Sequence, residues 1–248
     1  MSQSLANLLG RFLPVDIPQS DASLLISGLS ADSREIRQGW LFFAIPGVHV
    51  DGHSFISVVI DAKAAAIVHE NELSAQVLAQ ARQAGTVLVR TAHSRTALSH
   101  AAAVWHGNPA RDLTCIGVTG TDGKSTTTYF IHQLLESQGT ASGFFSTVAM
   151  QTGSVLDPTG LRQSPPEAME LHAVLSAMKA NHKTHAVIES TSHGLSHLTA
   201  RLRDVPFRVA VFTNLSHEHL EFHGSYEQYR NDKANLFRAL DKNDHVKR

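Results

Sequence analysis

The sequence predicts an α/β protein in two parts. A small α/β unit is expected over residues 1–108, and a second unit with a mostly parallel sheet and a phosphate-binding loop over 109–248. Three observations carry this reading. Short apolar runs alternate with helix-length amphipathic stretches along the chain, the pattern of βα units. A glycine turn, Gly120 to Gly123, lies between an apolar run and a helix opening at Lys124. The cluster His106-Gly107-Asn108-Pro109 follows an Ala-rich helix and has the composition of a linker.

The 248 residues suffice for one large domain or two ordinary ones. An apolar content of 42% is that of a globular protein, and a net charge of −1 points to neither nucleic acid nor a membrane surface. Cys115 is the single cysteine, so no internal disulfide can form, and it is expected to pack inside a strand. No apolar stretch is long enough to span a bilayer, and the N-terminus lacks the pattern of a signal peptide. A cytoplasmic protein is the expectation. The 16 histidines lie mostly singly, as solvated surface residues do.

In chain order, Leu5, Leu8, Leu9, Phe12 and Leu13 fall at helical spacing over residues 3–13. Strands are expected over 24–29 and 40–45, the first ending at Asp32-Ser33-Arg34 and the second at Pro46-Gly47. A loop through Val50-Asp51-Gly52-His53 leads to a helix ending near 62. Strands at 64–68 and 87–89 flank a helix near 73–84, and a helix over 96–105 closes the first part. Further on, strands are read at 113–118, 142–148, 185–189 and 208–214, with a surface hairpin or loop over 151–163. A helix is expected to start in Ser164-Pro165-Pro166-Glu167-Ala168, with Ser164 as cap and Pro166 early in the first turn. A final helix carries Tyr226, Tyr229, Lys233, Leu236 and Phe237.

The chemistry concentrates at Thr119-Gly120-Thr121-Asp122-Gly123-Lys124-Ser125-Thr126. Strand, glycine loop, Lys-Ser pair and helix are the plan of a phosphate cradle, in which backbone N–H groups and the helix dipole face an anion. Lys124 would reach the β/γ-phosphates of a nucleotide and the Ser125 hydroxyl would bind Mg²⁺. Glu189 puts a carboxylate at the C-terminal end of its strand, where doubly wound sheets bind ligands. His217, His219 and His223 do not have zinc-motif spacing, and no cysteine is near. Ser192-His193 lacks the G-x-S-x-G elbow of a hydrolase.

The Thr-Gly-Thr-Asp-Gly-Lys-Ser-Thr-Thr string resembles the shortened P-loop of the Mur ligases, the ATP-dependent amide-forming enzymes of peptidoglycan precursor synthesis. Asp122 stands where the commonest form has Asn. Asp32-Ser33-Arg34, Gly39 with Leu41-Phe42, and Ile45-Pro46-Gly47 followed by Val50-Asp51-Gly52-His53 resemble the UDP-binding domain of the tripeptide- and tetrapeptide-forming members. Glu189-Ser190-Thr191-Ser192-His193, Thr213-Asn214-Leu215 with Glu218-His219-Leu220-Glu221-Phe222-His223-Gly224, and Tyr229 with Lys233 and Leu236-Phe237 are similar to strings of the muramyl-tripeptide synthetases.

The resemblance implies specific roles. Ser33, Arg34 and the 47–53 loop, with Gly47, His49, Asp51 and His53, would lie against the uridine diphosphate. ATP and Mg²⁺ would be the cofactors, with Gly120 through Thr126 holding the nucleotide. Ser125 and Glu189 would bind one metal ion, and His219 a second. Lys233 would be carbamylated by CO₂ and join as a carboxylate-like ligand, against the plain reading of a surface lysine. Lys124, Glu189, His219 and Lys233 are then the catalytic set. Ser164, Thr191, Ser192 and Arg201 would contact the substrate, although Ser164-Pro165 replaces the family's usual Thr-Thr.

The expected activity is addition of a diamino acid to UDP-MurNAc-L-Ala-D-Glu through an acyl phosphate. The resemblance also implies an incomplete central unit, no C-terminal domain, a chain inactive alone, and a monomer when complete. Two alternatives stand beside it: a non-catalytic module that binds the UDP-sugar or nucleotide, and a ligase of the tetrapeptide branch.

Overall fold

The computed structural model describes residues 2–14, 17–47, 50–158, 166–216 and 220–240, with Leu220 described by its backbone alone. The chain divides into two compact units, Met1–Trp105 and His106–Arg248.

In the first unit, strand β1 (Gln3–Ser4) pairs antiparallel with β2 (Leu25–Ile26) around helices α1 (Leu5–Leu9) and α2 (Gln19–Ala22). The helix expected over 3–13 is shorter because Gly10 takes φ 48°, ψ −118°, after which a 3₁₀ turn runs to Phe12. The strand expected over 24–29 is two short strands. After β2, strand β3 (Gly28–Ser30) joins a different, parallel sheet with β4 (Trp40–Phe43), β5 (Ala66–His69) and β6 (Val87–Arg90) in sequential order. A Cβ on Gly28 would come within 2.3 Å of the Trp40 indole, so glycine lets that ring lie across the strand start.

Helices α3 (Ile56–Asp61), α4 (Ala75–Ala84) and α5 (Ser94–Trp105) connect and cover these strands. Phe42, Ile67, Ile56, Val59, Ile60 and Ala81 make one buried cluster, as the alternation of strand side chains and one helix face require. The Glu70 carboxylate accepts both the N–H and the hydroxyl of Ser94 at 2.6 Å and so caps α5.

The second unit holds a six-stranded sheet in the order β10-β9-β8-β11-β7-β12. The parallel strands are β7 (Thr114–Thr119), β8 (Ser142–Phe145), β11 (His185–Glu189) and β12 (Phe207–Phe212). Strands β9 (Ala149–Gln151) and β10 (Asp157–Pro158) are antiparallel additions at one edge. The strand expected to run to 148 stops at Phe145. Ser146 turns the chain there, its N–H and hydroxyl both bonded to the Ala149 carbonyl.

Helices α6 (Lys124–Ser137), α7 (Ala168–Ala180) and α10 (Tyr226–Leu240) cover the sheet, with the single turns α8 (Ser192–Leu195) and α9 (Leu220–His223) between. Successive strand residues enter different clusters. Cys115, Phe145, Ala186 and Ile188 pack with α7 and with Leu236 of α10, while Ile116, Val118, Phe144 and Val187 pack with Ile131 and Leu135 of α6. Period-two alternation thus gives a sheet covered on both faces. A Cβ on Gly117 of β7 would lie 2.5 Å from Leu236 Cδ1 and 2.9 Å from the Phe207 ring, so glycine lets α10 settle close to the sheet.

Helix α7 begins later than expected. Its N-cap is Glu167, in extended conformation and with no side-chain cap bond, which leaves Pro166 outside the helix. The Glu167 carboxylate turns instead to Arg201, at 2.7 Å. Ser164 lies outside the described residues. Further along α7, His172 is fully buried, and neither ring nitrogen has a hydrogen-bond partner among the described residues. Burial pushes its imidazole down to about 4, against a smaller opposing pull from Asp204.

Candidate functional site

The phosphate loop leaves the C-terminal end of β7 and is braced by the residues that leave β12 beside it. Thr213 donates its N–H to the Thr119 carbonyl at 2.9 Å and its hydroxyl to the Asp122 carbonyl at 2.7 Å. Asn214 accepts the Thr121 N–H on its backbone oxygen and the Asp122 N–H on Oδ1, each at 2.9 Å. Gly120 has φ 153°, and a Cβ there would sit 1.8 Å from Thr213 Oγ1, so only glycine fits. The Thr121 hydroxyl turns inward, accepting the Ser216 N–H at 2.9 Å and lying 3.0 Å from the Tyr229 hydroxyl.

These bonds sort the expected cofactor residues. Thr121 and Asp122 have given their N–H groups to Asn214. The first intrahelical bond of α6 runs from Thr127 N to the Gly123 carbonyl, and no side chain caps this helix. The N–H groups of Lys124, Ser125 and Thr126 therefore lie in the uncapped first turn, where a helix takes an anion. The Lys124 ammonium bonds the Thr121 carbonyl at 2.6 Å, so it also holds the loop closed on itself.

Glu189, only 2% exposed at the end of β11, is met by three donors. Ser125 Oγ reaches Oε2 at 2.7 Å, the Thr147 N–H reaches Oε2 at 2.9 Å, and Thr147 Oγ1 reaches Oε1 at 2.8 Å. A buried carboxylate requires such partners. The adjoining Ser125 hydroxyl and Glu189 carboxylate are hard oxygens of the kind Mg²⁺ takes when phosphates and water complete its shell. Among the described residues no group of three or more His, Cys, Asp or Glu gathers to hold a metal by itself. His219 lies outside the described residues.

Lys233 is not a surface lysine. It is 3% exposed, its Nζ donates to the Gly120 carbonyl at 2.5 Å, and the same nitrogen lies 4.5 Å from the centre of the Tyr229 ring.

The expected substrate residues are less open. Thr191 caps α8, its hydroxyl accepting the Gly194 N–H at 3.3 Å. Ser192 is 1% exposed, with Oγ 3.0 Å from His223 Nε2, and His223 Nδ1 lies 2.7 Å from Asp232 Oδ2. His223 thus has both nitrogens engaged. Arg201 is 8% exposed and paired with Glu167.

In the first unit, Ser33, Arg34, Gly47, Asp51 and His53 follow the C-terminal ends of β3 and β4, the edge where parallel sheets bind ligands. Arg34 grips Asp32 through Nε at 2.9 and 3.1 Å and through a terminal nitrogen at 2.5 Å. That hydrogen bonding holds the Asp32 carboxyl down to about 2. The Arg34 side chain itself is exposed. A Cβ on Gly47 would lie 2.3 Å from the Val50 carbonyl oxygen. His53 Nδ1 bonds Asp51 at 2.6 Å, while Nε2 accepts the N–H groups of Glu70 at 2.9 Å and Asn71 at 3.2 Å. This imidazole ties the loop to the end of β5. His49 lies outside the described residues.

Two family models match the chain: the Mur ligase middle domain over residues 118–246 and the Mur ligase family catalytic domain over 25–106. The chain belongs to the Mur ligase family.

Among its relatives, the UDP-N-acetylmuramyl-tripeptide synthetase of Treponema pallidum (strain Nichols) is 49% identical over 222 residues, 90% of this chain and 40% of that protein. The UDP-N-acetylmuramoyl-L-alanyl-D-glutamate–2,6-diaminopimelate ligase of Geobacter sulfurreducens is 36% identical over 229 residues, 92% of this chain and 43% of that protein. A solved ligase of the latter name superposes with a TM-score of 0.72 at 25% identity, over 96% of this chain and 45% of that one. This Mur ligase chain thus spans less than half the length of these relatives.

Some residues of this candidate site escape sequence reasoning. Thr147, which clamps Glu189, sits in a turn with no motif around it. Thr213 and Asn214 are visible as a family string, yet their bracing of the loop emerges only from β12 lying next to β7. Tyr229 is likewise part of a family string, but its hydroxyl contact with Thr121, 108 residues away, is visible only in the fold.

Proposed function

We propose that this chain is the part of a Mur ligase that binds ATP and the UDP-linked precursor, in an enzyme adding a diamino acid to UDP-MurNAc-L-Ala-D-Glu. In this reading residues 1–108 hold the UDP moiety and residues 109–248 the nucleotide. ATP phosphorylates the D-Glu γ-carboxylate, and the amine of the diamino acid attacks the acyl phosphate to give an amide, ADP and phosphate. The reaction belongs to the cytoplasm, where both nucleotides are found.

The observation that carries the reading is Glu189 against Ser125 beside an uncapped helix start. Phosphoryl transfer is governed by positioning and charge. Ser125 and Glu189 would hold a magnesium ion through their oxygens, and Lys124 would offset the charge of the phosphates. Mg²⁺, when bound, supplies Lewis-acid stabilisation of the transferring phosphoryl group. Lys233, in this reading, would add to CO₂ as the neutral amine, forming an N–C bond and releasing a proton, and the resulting carbamate would carry the negative charge a metal ligand needs. The name of the Geobacter sulfurreducens relative, a UDP-N-acetylmuramoyl-L-alanyl-D-glutamate–2,6-diaminopimelate ligase, supports the dipeptide substrate.

The test is calorimetric titration of the 248-residue chain with Mg–ADP and with UDP-MurNAc-L-Ala-D-Glu. Both should bind, and Lys124→Ala should lose Mg–ADP while keeping its thermal midpoint. Failure of the wild-type chain to bind either ligand would sink the reading. ADP release that requires both the dipeptide and a diamino acid would show that the chain itself turns over. Binding of both ligands without turnover fits a binding part.

A further inference from the structure

We infer that Tyr229 is a positioning residue that fixes the phosphate loop and the Lys233 amine to each other through helix α10. The inference deepens the nucleotide reading above and rests on it for its functional meaning. Tyr229 is fully buried, and two different parts of its side chain meet two different parts of the site. Its hydroxyl lies 3.0 Å from Thr121 Oγ1. That threonine oxygen already accepts the Ser216 N–H, which leaves it a lone pair for the phenol O–H. The face of the Tyr229 ring lies 4.5 Å from Lys233 Nζ. Residues 229 and 233 are four apart on α10, so they share one face of the helix.

The two side chains therefore grip consecutive loop residues, Lys233 at the Gly120 carbonyl and Tyr229 at the Thr121 hydroxyl. A phenylalanine would fill the same space and keep the ring beneath the amine. The hydroxyl is the added element, and its bond ends in the loop. The role divides by atoms: the oxygen sets the loop, and the ring holds Lys233 Nζ while it is the unmodified ammonium.

Hydrogen exchange of the nucleotide-free chain separates these roles. In Tyr229→Phe, amides of residues 119–123 should exchange roughly five-fold faster than in wild type, with β8 and α7 unchanged. The double variant with Thr121→Val should exchange no faster than Thr121→Val alone, because both changes remove the same bond. Reductive methylation of Lys233, read by peptide mass, should stay at the wild-type rate in Tyr229→Phe and rise roughly five-fold in Tyr229→Leu. Mg–ADP should bind the phenylalanine variant several-fold more weakly.

Wild-type exchange in the loop of Tyr229→Phe, or additive effects in the double variant, would overturn the inference. So would equal Lys233 labelling in the leucine and phenylalanine variants. If wild type binds no Mg–ADP, the nucleotide reading falls, while the exchange and labelling results still decide the role of Tyr229.

Discussion

Thr147 holds both oxygens of Glu189, its N–H on Oε2 at 2.9 Å and its hydroxyl on Oε1 at 2.8 Å. The two bonds fix the plane of the carboxylate and leave its edge toward Ser125. Thr147→Val keeps the backbone bond and the volume but loses the hydroxyl. A hydrogen bond to a buried charge contributes about 1.5 kcal/mol or more, so Mg–ADP affinity should fall about ten-fold. Calorimetry checks this, and unchanged affinity at an unchanged thermal midpoint would refute the clamp.

Gly120 combines φ 153° with a site where a Cβ would lie 1.8 Å from Thr213 Oγ1. Gly120→Ala must displace Thr213 and with it the bond to Asp122. We expect destabilisation of about 2–4 kcal/mol and loss of Mg–ADP binding. Urea unfolding measures the first, and a change below about 0.5 kcal/mol would contradict the close approach of Thr213 to Gly120.

Arg34 is exposed and paired with Asp32 across one turn. A pair open to solvent contributes little to folding. Arg34→Ala should therefore leave the thermal midpoint where it is while weakening binding of UDP-MurNAc-L-Ala-D-Glu. A variant that binds the precursor as wild type does would remove Arg34 from the precursor site and leave it as a turn residue.

His172 gives the chain an acid-sensitive core. Its imidazole is held neutral in the fold down to about 4, from an ordinary 6.5. The unfolded chain takes up a proton below 6.5 that the folded one refuses until about 4. Stability from this residue is therefore complete above 6.5 and lost as pH falls through that window, by on the order of 2–3 kcal/mol. Thermal midpoints from pH 7 to 4 should fall less steeply in His172→Leu. Parallel slopes for the two proteins would show that other groups govern the acid response.

The sequence made the βα alternation legible because strand and helix periods differ and the connections are short. The glycine loop, Lys124 and Ser125 were legible because a phosphate loop is one contiguous string. Residues 3–13 and 24–29 were not, because Gly10 and the switch of sheets after Ile26 depend on what the neighbouring strands are doing. The start of α7 is hidden because proline and serine before it signal a start, whereas Glu167 is the N-cap and is drawn to Arg201, 34 residues away. Thr147, Thr213 and Tyr229 act across the sheet, and their partners cannot be read from adjacent sequence.

Gly117 bears on how damage to this protein would look in genetics. It lies inside a strand and outside the loop, yet any side chain there meets Leu236 on the helix that carries Lys233. Alleles at this codon should lift α10 from the sheet and disturb the amine and the loop together. A random screen for inactive variants would then recover position 117 beside Lys124 and Lys233, and a map drawn from phenotype alone would mistake a spacer for part of the chemistry.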